Sequence, residues 1–221
     1  MDFSLISRLP NSEAPHTIKG LSQLYKDVFF KALFCVVFIS CSLVGTANAN
    51  ENKATKVPQS KIKLLPSNIR KIVLEKHLKH LMPYEQCIVD TVNQSQFPEM
   101  LLLSILYQEY GRTGKYSTNN DKSKDYGLSQ INDARKEELA QIGLTLNDVL
   151  NDGCKSIIGM TYLLRNEYDK ANGDLWTAVG NYHYSKQGKY PHNHYKYIKL
   201  VHDKWSRLFD TIKLSVSNNS I

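Results

Sequence analysis

The sequence predicts a mainly α-helical domain with room for one short β-hairpin, and three observations carry that expectation. Apolar residues recur at spacings of three and four along most of the chain, no Asn-Gly or Asp-Gly pair joins two alternating strand-like runs, and Met100 to Leu106 is apolar on every side, as in a helix at the centre of a core. With 221 residues, 42% hydrophobic and 22% charged, the chain has the balance of one globular domain. Collagen, an acidic disordered tail and a multi-span membrane protein are excluded by that balance, and no internal repeat is present.

The first 49 residues read as a removable leader. Lys26 and Lys31 precede an apolar run over 32–39 that continues through Leu43 and Val44, and Ala47-Asn48-Ala49 supplies a small-x-small cleavage site. The run falls short of the roughly 20 residues that cross a bilayer as a helix, so a retained anchor is the weaker reading. Lipidation at Cys41 is weaker too, because Phe38 fits the usual lipobox poorly. The chain is therefore expected to be exported, to the periplasm.

Residues 50–66 are rich in Lys, Ser, Asn and Pro and read as a flexible lead-in, residues 67–212 as the folded domain and 213–221 as a tail. Ser67 offers an N-cap for a helix carrying Ile69, Val73, Leu74, Leu78 and Leu81 to a stop at Pro83; a second helix over Tyr84 to Val92 presents Cys87, Ile88 and Val92. Pro98 suits the first turn of the apolar central helix and Gly111 its C-terminal stop, which delivers Glu109 to the last turn. A polar loop from Arg112 to Lys124 follows, with the hairpin expected before Gly127. Further helical patterns lie near Ala134 to Ile142, Cys154 to Tyr168, Leu175 to Tyr184 and His194 to Ile212, with Asn172-Gly173 separating two of them.

Four cysteines are present, of which Cys35 and Cys41 leave with the leader. An exported chain that keeps two, Cys87 and Cys154, is expected to pair them, which in the chain-entropy view stabilises the fold by about 4 kcal/mol. No Cys-x-x-Cys exists, so zinc ribbons and thioredoxin-type chemistry are excluded. Lys plus Arg number 28 against 21 for Asp plus Glu, a net charge of +7 that calls for a negative partner. Outside the cytoplasmic membrane that partner is wall polymer rather than nucleic acid.

Glu109 carries the strongest chemical signal. It ends a helix of Leu, Ile and Tyr and precedes Tyr110 and Gly111. A carboxylate there faces the negative end of the helix dipole, and its apolar neighbours desolvate the charged form, so both effects raise its pKa. A carboxyl group still protonated near neutral pH is what glycoside cleavage requires of a general acid. A solvated glutamate at a helix end is the plain alternative. Two other segments stand out: Asp125 to Asn132, D-Y-G-L-S-Q-I-N, in which a glycine turn precedes alternating apolar and polar residues, and Ala178 to His183, A-V-G-N-Y-H. A turn entering a helix and simple packing would explain them.

Taken in order, these segments resemble the lytic transglycosylases of the lysozyme-like superfamily, in particular the small exported ones that accompany pili, conjugation and secretion machines. The resemblance runs from about Tyr84 to Val201. It rests on Cys87, Pro98, E-Y-G at Glu109 to Gly111, Asn119, Ser123 and Asp125, G-L-S-Q-I-N at Gly127 to Asn132, then Asp152, Cys154, Ile157 and the final A-V-G-N-Y-H. It implies a lysozyme-like helical domain in which Glu109 is the single catalytic acid and base. By the same resemblance Tyr110, Gly127, Leu128, Ser129, Gln130, Asn132, Tyr182 and His183 bind or frame the sugar, with Tyr182 positioning the glutamate. The chain departs from the family pattern at Tyr110, where a small Ser is usual, at Ser129, where Met or Phe is usual, and at His183, where many members have Asn and pilus-associated relatives have His.

The implied reaction is cleavage of peptidoglycan between N-acetylmuramic acid and N-acetylglucosamine with formation of 1,6-anhydro ends, by a monomer that needs no cofactor and no metal and serves an envelope-spanning apparatus for secretion, pili or conjugation. A muramidase using water on the same bond and a non-catalytic wall-binding scaffold are the rival readings. Asn119 to Asp125 imitates a calcium loop, but the glycine at its sixth position is missing and Gln130 stands at the twelfth. Gly111 to Lys115 echoes a phosphate loop with the wrong spacing. His77 with His80 and His192 with His194 lack an accompanying H-E-x-x-H and read as surface histidines.

Overall fold

In a computed structural model of the chain the described residues run from 64 to 218; the leader and almost all of the lead-in lie outside them. These residues fold as a helical body carrying a three-stranded antiparallel sheet. The order is α1 (Ser67–His77), a 3-10 helix (Lys79–Tyr84), α2 (Glu85–Ser95), α3 (Glu99–Glu109), β1 (Tyr116–Thr118), β2 (Lys124–Tyr126), β3 (Ile131–Asn132), a 3-10 turn (Asp133–Arg135), α4 (Lys136–Ala140), α5 (Leu146–Asn151), α6 (Gly153–Lys170), α7 (Leu175–His183) and α8 (Pro191–Asn218). No helix among the described residues is long and apolar enough to cross a membrane.

The core forms around α3, in which every residue from Leu101 to Leu106 is fully buried. Ser104 is accommodated there because its hydroxyl donates to the Met100 carbonyl one turn back. Glu99, at the start of the helix, is also fully buried, and its charge is matched by Arg70 of α1, whose guanidinium donates to both carboxylate oxygens while the Leu65 N–H donates a further bond of 2.7 Å. This ties the start of the domain to its central helix. Helix α8 packs across α3, α7 and α1, burying His194, Tyr197, Val201, Leu208 and Thr211, a stripe at helical spacing.

Several local expectations change on contact with the structure. Pro66 rather than Ser67 occupies the N-cap of α1, without a side-chain cap, and the chain from Lys79 to Tyr84 tightens into a 3-10 turn that buries Leu81 ahead of Pro83. The stop of α3 is Tyr110, in a left-handed conformation with φ of 49°. Gly111 instead permits a close backbone approach, since a Cβ there would stand 2.2 Å from the Gly127 carbonyl oxygen and 2.6 Å from that of Leu128. The segment after Gly127 is no helix entry but the third strand, with Asp125 opposite Asn132 and Tyr126 opposite Ile131. Helix α5 went unread in the sequence although Thr145 and Asp148 form a reciprocal capping box, a signal that was available. The last helix runs through Ile212 to Asn218.

Candidate active site

Helix α3 ends at the inner edge of the sheet, and two glycines make that approach possible. Gly111 lets the chain leaving the helix press against the backbone of Gly127 and Leu128, as above. Gly127 has φ of +69°, and a Cβ on it would meet the Val149 carbonyl oxygen at 1.9 Å. The motifs E-Y-G and G-L-S-Q are therefore two halves of one backbone contact. It places Glu109 beside the turn at 127–130.

The carboxyl of Glu109 accepts a hydrogen bond from the hydroxyl of Tyr197 on α8. Its pKa is pushed up to about 8, chiefly because burial removes water from the charged form; the Tyr197 hydrogen bond works in the opposite direction, and the negative charge of Asp125 adds to the rise. The carboxyl of Glu109 is thus enclosed and protonated near neutrality, as its apolar neighbours led one to expect. Tyr197, 3% exposed, was missed as a site residue. The available signal was a phenol on the buried stripe of α8, in register with His194 and Val201.

Asp125 is the nearby acid, and its carboxylate is taken up by carboxamides: Asn132 donates at 2.7 Å and Asn119 at 2.9 Å, while both also donate to the Ser123 hydroxyl at 3.1 Å. Asn119, Ser123, Asp125 and Asn132 are thereby a single network that folds the β1–β2 connection onto β3. Asp121 accepts from the backbone N–H and hydroxyl of Ser123. The carboxylates of the stretch that imitates a calcium loop are engaged by donors of the loop and of β3.

The remaining expected site residues fall into two groups. Leu128 and Ser129 are buried beneath the turn: the Ser129 hydroxyl donates to the Ser156 carbonyl at 3.1 Å, its N–H donates to the Ser156 hydroxyl at 3.0 Å, and its side chain is wholly covered. Ser129, expected to frame the sugar, therefore anchors the turn to α6 with its side chain turned inward. Tyr182 donates to the Ser129 carbonyl at 3.0 Å, so its hydroxyl fixes the turn, and the tyrosine hydroxyl on Glu109 is that of Tyr197. Gln130, at φ of 48°, accepts from Ser117 at 2.7 Å and donates to the Gly127 carbonyl at 2.8 Å, clamping the sheet to the same turn. Tyr110 is 51% exposed, with the Arg112 guanidinium 4.3 Å above its ring and His80 edge-on at 4.8 Å. His183 is exposed and lies flat on the ring of Tyr197, centroids 4.5 Å apart and planes 8° from parallel.

Of the four histidines read as surface residues, His192 is exposed and the other three pack into the fold. His194 is not a surface residue: it is buried under Gly180, where a Cβ would meet its ring at 2.4 Å, and its Nδ1 lies 3.1 Å from the Tyr184 carbonyl. Gly180 in A-V-G-N-Y-H is thus explained by packing of α7 on α8. His77 Nε2 lies 2.8 Å from the Thr211 hydroxyl, and burial brings the pKa of His80 down to about 4. Cys87 and Cys154 are neighbours with free thiols in this structure, and their hydrogen bond together with burial raises the pKa of Cys87.

A family model described as the transglycosylase SLT domain matches residues 86–199, slightly more than half of the chain. The chain belongs to the transglycosylase SLT domain family. Among curated relatives, protein IpgF of Shigella flexneri is 31% identical over 112 residues, covering 50% of this chain and 73% of that protein. Invasion protein IagB of Salmonella typhimurium is 28% identical over 126 residues, covering 57% of this chain and 78% of that protein. The SLT match starts beside Cys87 and ends just beyond Tyr197, so it encloses the central helix, the sheet and both tyrosines of the site.

Proposed function

We propose that the chain is a peptidoglycan lytic transglycosylase that cuts the β-1,4 bond between N-acetylmuramic acid and N-acetylglucosamine and leaves 1,6-anhydro ends. The observation that carries this reading is the enclosed, protonated carboxyl of Glu109 under the hydroxyl of Tyr197. Glu109 gives its proton to the bridging oxygen as the bond from the anomeric carbon to that oxygen breaks. The acetamido oxygen of the same muramic acid captures the anomeric carbon, the carboxylate of Glu109 removes the proton of the C6 hydroxyl, and that oxygen displaces the acetamido group. The proton count closes on Glu109, which is regenerated as the acid. A second free carboxylate is unnecessary because the substrate supplies the nucleophile, in keeping with an Asp125 engaged by Asn119 and Asn132.

The roles proposed are Glu109 as acid and base, Tyr197 as its hydrogen-bond donor, and Gln130 as part of the groove wall, with Leu128, Ser129 and Tyr182 holding its turn from beneath. The leader places the enzyme in the periplasm, where its basic excess meets the wall, and a relative named as an invasion protein supports work for an envelope-spanning secretion apparatus. Digestion of purified sacculi followed by mass spectrometry tests the proposal. Anhydro-terminated fragments from the parent and none from Glu109→Gln are expected; reducing ends in place of anhydro ends would establish a muramidase, and clearing by Glu109→Gln would establish a scaffold.

A further inference from the structure

His183 has no role in the backbone contact that builds the turn, yet it is placed with care. Its ring covers one face of Tyr197, parallel within 8° and 4.5 Å away, while Tyr182 stands 6.5 Å from the same ring. Tyr197 is 3% exposed and donates to Glu109. His183 itself remains exposed, and no hydrogen bond to its ring nitrogens is found among the described residues. Stacking holds it.

We propose that His183 is a positioning residue that acts through Tyr197: its flat, neutral imidazole is the cover that keeps water away from the Tyr197–Glu109 hydrogen bond and so keeps the acid protonated. This rests on the reading of Glu109 as the general acid. An aromatic face in van der Waals contact excludes water as effectively as an apolar side chain, and the acidity of an enclosed carboxyl is set first by how much water reaches its charged form. The groups facing His183 are Asp125 from β2, Lys196 and Tyr197 from α8, and beyond that ring Glu109 from α3. Burial lowers the pKa of His183, Asp125 opposes the shift and Lys196 reinforces it, so the cover is uncharged where the enzyme works near neutral pH. An Asn at this position would have no ring to lay on the tyrosine.

The test reads the acid directly and needs no turnover. Protein labelled with 13C at the glutamate carboxyl carbon is titrated by NMR, the Glu109 signal being assigned by its loss in Glu109→Gln. His183→Phe keeps the stack and is expected to hold the Glu109 midpoint within about 0.3 unit of the parent. His183→Ala and His183→Asn admit water and are expected to lower it by about one unit or more, a tenfold change in the ionisation equilibrium. Far-UV circular dichroism establishes that each variant is folded, and either small variant suffices. An unchanged midpoint in the folded Ala or Asn variant, or an equal fall in Phe, overturns the proposal. If Glu109→Gln clears sacculi the catalytic reading falls by itself, and the titration still decides whether His183 seals the pair.

Discussion

The hydroxyl of Tyr197 on α8 donates to the carboxyl of Glu109 at the end of α3, joining residues 88 positions apart in the chain. The bond favours the charged form of Glu109, against the burial that disfavours it. Tyr197→Phe is therefore expected to raise the pKa of Glu109 above its parent value. It also frees the carboxyl to turn, so kcat on glycan strands should fall by about tenfold or more while KM changes little. An alkaline limb that moves to lower pH would contradict the assignment.

In the proposed role Glu109 acts in its protonated form, so activity is expected to decline as pH rises through about 8. The same group makes stability depend on pH. Its folded pKa lies above the unfolded value of 4.5, so the native state holds the proton longer than the unfolded state, and stability present below that value is lost as pH rises toward 8. Glu109→Gln removes this loss. Its Tm relative to the parent should be roughly 3 °C or more higher at pH 9 than at pH 5, with activity down by about 10²-fold or more.

Gly111→Ala sets a methyl group 2.2 Å from the Gly127 carbonyl oxygen, a backbone atom that cannot swing aside. The variant should lose about 2 kcal/mol or more in urea unfolding and most of its activity, because the displaced turn carries Tyr182 away with it. A comparable change at Gly114, where nothing lies within 4 Å of an added Cβ, meets no steric obstacle, only the strain of φ at +75°. Gly114→Ala should lose less.

Glu99→Gln removes the fully buried counter-charge of the Arg70 guanidinium and leaves it only the more exposed carboxylate of Glu85, 3.6 Å away. Breaking a buried pair from one side costs about 3–5 kcal/mol, so chemical denaturation should show a loss of that order, with the Glu109 titration unchanged in whatever fraction remains folded.

Cys87 and Cys154, free thiols in hydrogen-bond contact in this structure, are expected to be oxidised in exported protein. Thiol titration of material purified from the periplasm and denatured without reductant should find neither free, and reduction should lower stability by a few kcal/mol, about 4 in the chain-entropy view. Two free thiols would refute the pairing.

The acid, the glycines beside it and the buried helix that carries it were legible in the sequence because each is a local signal: a charge after an apolar run, a glycine where the chain turns, a spacing of three and four. The hairpin was legible in position, but the third strand was not, since Ile131 and Asn132 form a strand only by pairing with β2. The burial of Ser129 was not legible for a similar reason. Alternation along a short segment says that one face is covered, and only Ser156 on α6 decides which.

By itself, then, the order of residues determined a helical domain, the placement of Glu109 at a helix end next to a glycine turn, and the apolar neighbours that desolvate its carboxyl. Tertiary structure decided what touches that carboxyl. Tyr197 and His183 come from helices remote in sequence, and whether a phenol donates to an acid or a histidine covers it is fixed by how α7 and α8 cross α3, a matter of packing that no local pattern encodes.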